Sequence, residues 1–226
     1  MGFLKKKSKT KIDNKSKLTP SPEQELDQQE FNTFFSEVVK KLPQKSARAL
    51  LNTYDKSKIV AEKILEKNQV RFDQVFKDFL KGVDEDTRKK CHKIIHAATL
   101  TAAIIGCSPI PFSDAFLLVP VQLTMMARLH KLFGQRWSES LGKSLSKELV
   151  VVSLGRSAVG NIVKFVPAVG TVTGATINAT VASAITESLG WVTVKMLNNG
   201  EDVFEQVTSF KGQYQTLFRA LKSLKK

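Results

Sequence analysis

The apolar residues of the segment 21–42 recur every three or four positions, which predicts an amphipathic α-helix. Ser21 followed by Pro22 is a typical helix start, because serine caps free backbone N–H groups and proline suits the first turn. Pro43 ends this helix. Its apolar face consists of Phe31, Phe34, Phe35, Val38, Val39 and Leu42.

Residues 45–81 continue the helical spacing and predict either one long amphipathic helix or two shorter ones. Lysine and glutamate fill the opposite face. Such a segment packs on a helical bundle or, as an alternative, forms a coiled-coil arm for a partner helix. The apolar positions are Leu50, Leu51, Tyr54, Ile64, Leu65, Phe72, Val75, Phe76, Phe79 and Leu80.

The middle of the chain is almost free of charge, since residues 94–127 contain one charged side chain, Asp114. Apolar arms of 14 and 13 residues flank a turn that holds Pro109, Pro111 and Asp114. Prolines break helices and either Ser113 or Asp114 caps the next one, so the pattern predicts a helical hairpin. Each arm, about 20 Å long as a helix, is shorter than the roughly 30 Å core of a membrane. The hairpin is therefore either a buried core element or a re-entrant or interfacial insertion.

No segment alternates polar and apolar residues as a strand does, so the fold class is predicted to be all-α. We expect a helical bundle around the apolar hairpin. Valine and threonine, which favour strands, are frequent in residues 166–194, yet residues 171–199 are predicted as one long helix. The predicted order is a disordered basic arm (1–20), an amphipathic helical region (21–89), an apolar helical domain (90–200) and a C-terminal amphipathic helix (201–226).

Positive charge is concentrated near the start of the chain. The net charge of the 226 residues is +14, and residues 1–20 carry seven lysines and one aspartate. A basic end beside an apolar middle indicates an anionic partner, either a membrane surface or a nucleic acid. Nucleic acid is disfavoured because aromatic residues are not interleaved with these lysines. The predicted membrane-surface residues are Lys5, Lys6, Lys7, Lys9, Lys11, Lys15 and Lys17.

Small residues recur every four positions in two places and predict close helix packing. Such faces serve tight packing in a soluble bundle and helix association in or against a bilayer equally well, and they are compatible with an oligomer. The first series is Ala98, Ala102 and Gly106, and the second is Gly170, Gly174, Asn178, Ala182, Thr186 and Gly190.

Candidate chemistry is sparse. The segment from Gly155 to Gly160 resembles half of a phosphate-binding loop, but Asn161 and Ile162 replace its lysine and hydroxyl residue. No Ser-His-Asp order, paired carboxylates or metal-protease motif is visible. We therefore expect a protein that is not an enzyme and has no cofactor.

The three histidines fall at similar heights in an antiparallel hairpin. His92 and His96 share one helical face, and Cys91 is adjacent. This set is either a zinc or pH-sensing site or, as we expect, a group of polar residues at the solvated mouth of the hairpin. No metal site is predicted, because no second spaced Cys/His pair exists.

The two cysteines indicate a reducing compartment. Cys91 and Cys107 lie 16 residues apart on one predicted helix, a separation of about 24 Å. A disulfide requires Cα atoms within about 7 Å, so these residues cannot pair while the helix stands. Free thiols fit the cytoplasm.

One series of turns and residues follows a family pattern. It has a Pro-x-Pro-x-x-Asp turn, then Pro, Gln and Met, a Gly that ends the helix, a Pro-x-x-Gly turn, and a Thr with a later Gly. The matching residues are Pro109, Pro111, Asp114, Pro120, Gln122, Met125 or Met126, Gly134, Pro167, Gly170, Thr186 and Gly190. In this pattern, residues 90–200 resemble the YcjF-like domain of unknown function 697.

Members of this family often follow Era-like or dynamin-like GTPase domains in bacteria. The resemblance implies a helical, membrane-associated domain that works beside a separate GTPase, and it implies no catalytic residues. It does not extend to residues 1–89 and includes no GTPase domain.

These observations predict a non-enzymatic protein on the cytoplasmic face of the cell membrane, peripheral or partly inserted. Its expected partners are an anionic membrane surface and a separate GTPase or another protein. Two alternatives remain: a pore-forming, toxin-like helical bundle that hides its hairpin until it meets a membrane, and a soluble protein-interaction module.

Overall fold

The computed structural model describes residues 21–108, 117–145 and 174–223. These residues contain helices and no strand, so the predicted all-α fold is confirmed. Residues 139–145 are also helical. The other described helices are α1 (Pro22–Lys41), α2 (Gln44–Asn52), α3 (Tyr54–Phe79), α4 (Glu85–Cys107), α5 (Leu118–Leu132), α6 (Gly174–Asn198) and α7 (Val207–Ser223).

Helix α1 begins and ends where the sequence predicts. The Ser21 hydroxyl accepts a hydrogen bond from the Gln24 backbone N–H at 3.3 Å, and the Gln24 side chain accepts one from the Ser21 N–H at 2.9 Å. This reciprocal pair satisfies backbone donors that a helix start leaves free. Leu42, directly before Pro43, is extended and follows the last residue of the helix.

The segment 45–81 forms two helices. The chain leaves helical geometry at Thr53, whose φ is −114° and ψ is 5°, and α3 begins at the next residue. Helix α3 packs against α4, α6 and α7 of the same chain. The buried apolar residues of α3 therefore cover the bundle, which favours the first of the two interpretations over a free coiled-coil arm. Leu51 of α2 departs from the predicted apolar face, since it is 53% exposed.

Helices α4 and α6 make the most extensive contact in the described part of the bundle. Helix α4 also packs against α1, α3 and α5, so it occupies the centre. It begins at Glu85, well before the apolar arm, because the Asp84 carboxylate caps it and accepts the Thr87 N–H at 2.9 Å. The predicted hairpin partner, α5, packs against both α4 and α6.

Helix α6 forms despite its valine and threonine content. Nearly every residue from Ala179 to Leu197 is buried, so packing outweighs intrinsic propensity. Hydroxyl groups within it bond to carbonyls of their own helix: Ser183 to Ala179 at 2.6 Å and Thr193 to Leu189 at 2.8 Å. These bonds satisfy polar groups that burial would otherwise penalise.

Helix α7 begins at Val207, so the predicted helical start at residue 201 is wrong. Gly200 follows α6 with a φ of +73°, a conformation that favours glycine. The Asp202 carboxylate then accepts backbone N–H groups of Phe204 at 2.7 Å and Glu205 at 3.1 Å, which holds a turn before the helix.

Several predicted features lie outside the described residues. They are the basic arm of residues 1–20, the hairpin turn with Pro109, Pro111 and Asp114, and the turn that contains Gly170. In the parts of the chain that the structure describes, no helix is both long and apolar enough to cross a membrane.

Candidate functional site: the contact between α4 and α6

Helices α4 and α6 approach each other so closely that glycine is required at one point. A Cβ atom added to Gly106 would lie 2.7 Å from the Cα and N atoms of Ala179. Backbone atoms cannot yield as a flexible side chain can, so any larger residue at position 106 forces the helices apart. Farther along the contact, a Cβ on Gly190 would lie 2.8 Å from Cγ1 of Ile95.

One glycine of each small-residue series lies in this contact. Gly106 faces Ala179 while Ile95 faces Gly190, so the helices run antiparallel. The described members that are fully or almost fully buried are Ala98, Ala102, Gly106, Ala182, Thr186 and Gly190, and Asn178 is partly buried. The arrangement is a tight helix pair inside the protein.

Gly174 departs from its series. It is the first residue of α6, is exposed, and has no described atom within 4 Å of the position its Cβ would take. The periodic pattern includes it, but the described contact does not, because α6 extends beyond the end of α4 here. Gly174 therefore serves as an internal control for the close approach.

A carboxylate lies within the helix contact. Glu187 of α6 accepts a hydrogen bond from the Thr99 hydroxyl of α4 at 2.7 Å and from the Trp191 indole N–H at 2.9 Å. Hydrogen bonds to an ionised acceptor are among the stronger ones in proteins. Glu187 was not predicted as a site residue, although it is the one acidic residue of the segment 171–199.

The three histidines do not come together. The rings of His92 and His96 stack at 5.9 Å, whereas His130 lies between Trp137 at 5.1 Å and Phe204 at 5.5 Å. Because His130 is 2% exposed, the predicted solvated position is wrong for this residue. Among the described residues, no group of three side chains is arranged to hold a metal ion.

Burial controls the protonation of His130. Its Nδ1–H donates to the Met126 carbonyl at 2.8 Å, since a carbonyl can only accept. Burial lowers the pKa of His130 below its ordinary value, while the Met126 carbonyl and the charge of Asp202 act in the opposite direction. The neutral imidazole is therefore the form that the fold accommodates.

Both cysteines are free, as the sequence predicted. Burial, with a smaller contribution from Asp84, raises the pKa of Cys91 to about 12. Burial also raises the pKa of Cys107 to about 11. Both side chains are therefore neutral thiols at neutral pH, which does not suit a nucleophile.

A second polar contact joins α1 to α5. The Arg128 guanidinium pairs with Glu30 and, at 2.9 Å, with Glu37, and Lys41 bonds to Glu37 at 2.8 Å. Burial opposes ionisation of Glu37, but Lys41 and Arg128 together hold its pKa below its usual value. Lys41 also donates to Thr124 of α5 at 3.0 Å. Helical spacing did not reveal the two ion pairs of Arg128, since they join distant segments.

The seven arm lysines, from Lys5 to Lys17, lie outside the described residues, as do the hairpin-turn residues. Of the predicted site residues, the structure therefore positions only those of the helix contact.

Comparison with known proteins places these helices in a family. The family model described as "Domain of unknown function (DUF697)" matches residues 71–223, which confirms the resemblance and extends it in both directions. The chain is 31% identical over 130 residues to Magnetosome membrane protein 22 of Magnetospirillum gryphiswaldense (strain MSR-1). That alignment covers 55% of this chain and 67% of the relative. No solved structure matches.

Proposed function

The chain belongs to the DUF697 family, and on that premise we propose that it is a non-enzymatic helical protein that associates with an anionic membrane surface. The observation that carries the proposal is its relationship to a protein named as a magnetosome membrane protein. The charge of the chain supports the same conclusion, because a net charge of +14 favours an anionic surface.

The lysines of residues 1–20 supply the attraction in this proposal. The charged side chains of this segment are seven lysines and one aspartate. A lysine near an anionic leaflet contributes up to about 1 kcal/mol, and the effect fades within a Debye length of about 10 Å at 0.1 M salt. Binding through these lysines is therefore reversible and sensitive to salt.

The apolar helices have a structural role in this proposal. Residues of α4 and α6 are buried against each other and against α5, so their apolar surface is already covered by protein. We therefore expect the bundle to remain folded at the membrane surface, as a peripheral protein. The free thiols of Cys91, which is buried, and Cys107, which is partly buried, support placement on the cytoplasmic face.

The finer part of the proposal is that the protein is accessory to a separate dynamin-like or Era-like GTPase. The family resemblance supports it, since such domains often accompany GTPases. A purified candidate GTPase from the same cell should bind the full chain with an affinity that differs between GDP and a non-hydrolysable GTP analogue. Equal binding in both states, or none, would argue against this role.

Vesicle flotation tests the membrane proposal directly. Changing the four lysines nearest the start of the chain to glutamine should weaken binding to anionic phosphatidylglycerol vesicles by at least about tenfold and reduce its salt dependence. The arm variant carries Lys5→Gln, Lys6→Gln, Lys7→Gln and Lys9→Gln, and the matched control carries Lys45→Gln, Lys56→Gln, Lys63→Gln and Lys67→Gln, all exposed on α2 or α3.

The outcomes separate the alternatives. Equal binding by the arm variant and the control would exclude an electrostatic role for the arm. Tight binding to DNA without vesicle binding would move the protein to the nucleic-acid class, so DNA is measured in parallel at the same salt concentration. Release of a dye trapped in the vesicles would support a pore-forming protein instead.

A further inference from the structure

A cleft of about 390 Å³ lies where the end of α3, the start of α4 and the second half of α6 meet. This volume is within the range of small-molecule sites. The residues that line it are Phe76, Lys77, Leu80, Arg88, Lys89, His92 and Trp191. Three of these residues are basic and none of the described lining residues is acidic, so the described lining is complementary to an anion.

The apolar floor of the cleft is fixed in place. Phe76, Leu80 and Trp191 are each at most 4% exposed. The rings of Phe76 and Trp191 lie 5.7 Å apart, and Glu187 accepts the Trp191 indole N–H. The basic residues Lys77, Arg88 and Lys89 form the rim of the cleft. A fixed apolar floor lowers the local dielectric constant, which strengthens the attraction between these rim cations and a bound anion.

Two basic residues of the cleft, Lys77 and Arg88, are available for a ligand. The ammonium group of Lys77 and the guanidinium group of Arg88 make no ion pair with another described residue. Lys89 pairs with Glu85 at 3.1 Å, but both side chains are more than half exposed, so this pair is weak. Arginine and lysine converging from two helices are well suited to a phosphate group.

We propose that this cleft binds the phosphate headgroup of an anionic phospholipid. The inference rests on the proposed membrane association and adds a specific lipid site to it. The buried rings leave little aromatic face for a nucleotide base to stack on. A headgroup needs only an exposed cationic rim, and Lys77 and Lys89 are exposed there.

Nuclear magnetic resonance of the full chain tests the site with soluble dihexanoyl phosphatidylglycerol. Of the two tryptophans, only Trp191 lines the cleft. Its indole N–H signal should shift saturably, whereas that of Trp137 should not. Dihexanoyl phosphatidylcholine, which has no net charge, should bind at least about tenfold more weakly.

Paired variants assign the binding to the rim. Changing Lys77→Gln together with Arg88→Gln should weaken phosphatidylglycerol binding by at least about tenfold. The matched control changes Lys45→Gln and Arg48→Gln, an exposed pair on α2 that removes the same charge away from the cleft. The control should bind like the unmodified chain.

Each contrary result has a distinct meaning. If the cleft variant binds like the control while anionic vesicles still bind the full chain, the lipid site is wrong and membrane association stands. If glycerol 3-phosphate binds as tightly as the lipid, the cleft takes a soluble phosphate and the lipid assignment is overturned. If neither vesicles nor the soluble lipid bind, the proposed function fails as well.

Discussion

The contact between α4 and α6 and the contact between α1 and α5 join helices in opposite ways. In the first, backbones meet at Gly106 and Ala179 with no room for a side chain. In the second, the long side chain of Arg128 forms ion pairs with Glu30 and Glu37 at a partly exposed surface. The first contact depends on shape and the second on charge.

This difference determines how much change each contact tolerates. A close-packed interior cannot absorb an added methyl group without moving a helix. Partly exposed ion pairs lose little when they are broken, because water and salt ions replace the lost partner. We therefore expect the stability of the bundle to depend mainly on the α4–α6 contact.

The largest effect is expected from Gly106→Ala. Its new Cβ would lie 2.7 Å from backbone atoms of Ala179, so α4 and α6 must separate. Overpacking of this kind should lower the free energy of unfolding by about 2–3 kcal/mol, even though alanine favours a helix by about 1 kcal/mol over glycine. Urea denaturation monitored by circular dichroism measures the change.

Gly174→Ala is the matched control for this substitution. It makes the same change in α6 at an exposed position with open space, so stability should stay within about 0.5 kcal/mol or rise slightly. Gly190→Ala should fall between the two, because the Ile95 side chain can shift where a backbone cannot. Equal stability of the Gly106 and Gly174 variants would refute the close-approach argument.

A smaller loss is expected from Thr99→Val, which removes one of the two hydrogen bonds to Glu187. The carboxylate stays in the helix contact with one donor fewer, at a cost of about 1–2 kcal/mol. Thr101→Val is the control, since the Thr101 hydroxyl donates to the Ala97 carbonyl of its own helix and to no other described residue. If the two variants unfold at the same urea concentration, the hydrogen bond between Thr99 and Glu187 stabilises the protein no more than a hydrogen bond within one helix.

The buried side chain of His130 should make the stability of the protein depend on pH. The effect should be similar to or smaller than that of Thr99→Val. Its pKa in the folded protein is lowered by burial, so below about pH 6.5 the unfolded chain binds a proton that the folded chain resists. Stability should therefore fall as the pH drops from 7.5 toward the lower folded pKa, by at most about 1.4 kcal/mol per unit for this group.

The variant His130→Gln isolates this contribution. Urea denaturation at pH 7.5 and pH 5 should show a smaller acid-induced loss of stability in the variant than in the unmodified chain. An identical loss in both proteins would mean that other groups cause the whole pH dependence.

The sequence predicted much of the helical order because helix boundaries depend on local signals. Ser21, Pro43 and Gly134 act on adjacent backbone, and the apolar spacing identified the faces of α1 and α3. It also identified both small-residue series. It could not reveal that Gly106 and Gly190 lie in the same helix contact, since the pairing of α4 with α6 is set by tertiary packing between distant segments.

The same limit explains the two errors at polar sites. His130 was placed in solvent because polarity alone cannot reveal that Trp137 and Phe204 enclose it. The cleft was missed because Lys77 and Arg88 come from different helices and converge only in the fold. The excess of basic residues in segment 56–93 was visible, but charge along a chain does not indicate which cations share a surface.

The smallest effect is expected for Arg128→Gln, which breaks the ion pairs between α1 and α5. Because these side chains are partly exposed, the loss at pH 7 should be at most about 1 kcal/mol. Arg128 helps to hold the pKa of Glu37 below its usual value, so this stabilisation exists above pH 4.5 and disappears as the pH falls through the lower folded pKa. The stability difference between the variant and the unmodified chain should therefore shrink between pH 7 and pH 4 in urea denaturation.

Arg136→Gln, an exposed control just after α5, should change stability at neither pH. A loss well above 2 kcal/mol for Arg128→Gln at pH 7 would contradict the comparison, because charge would then stabilise the bundle as strongly as the close approach of α4 and α6.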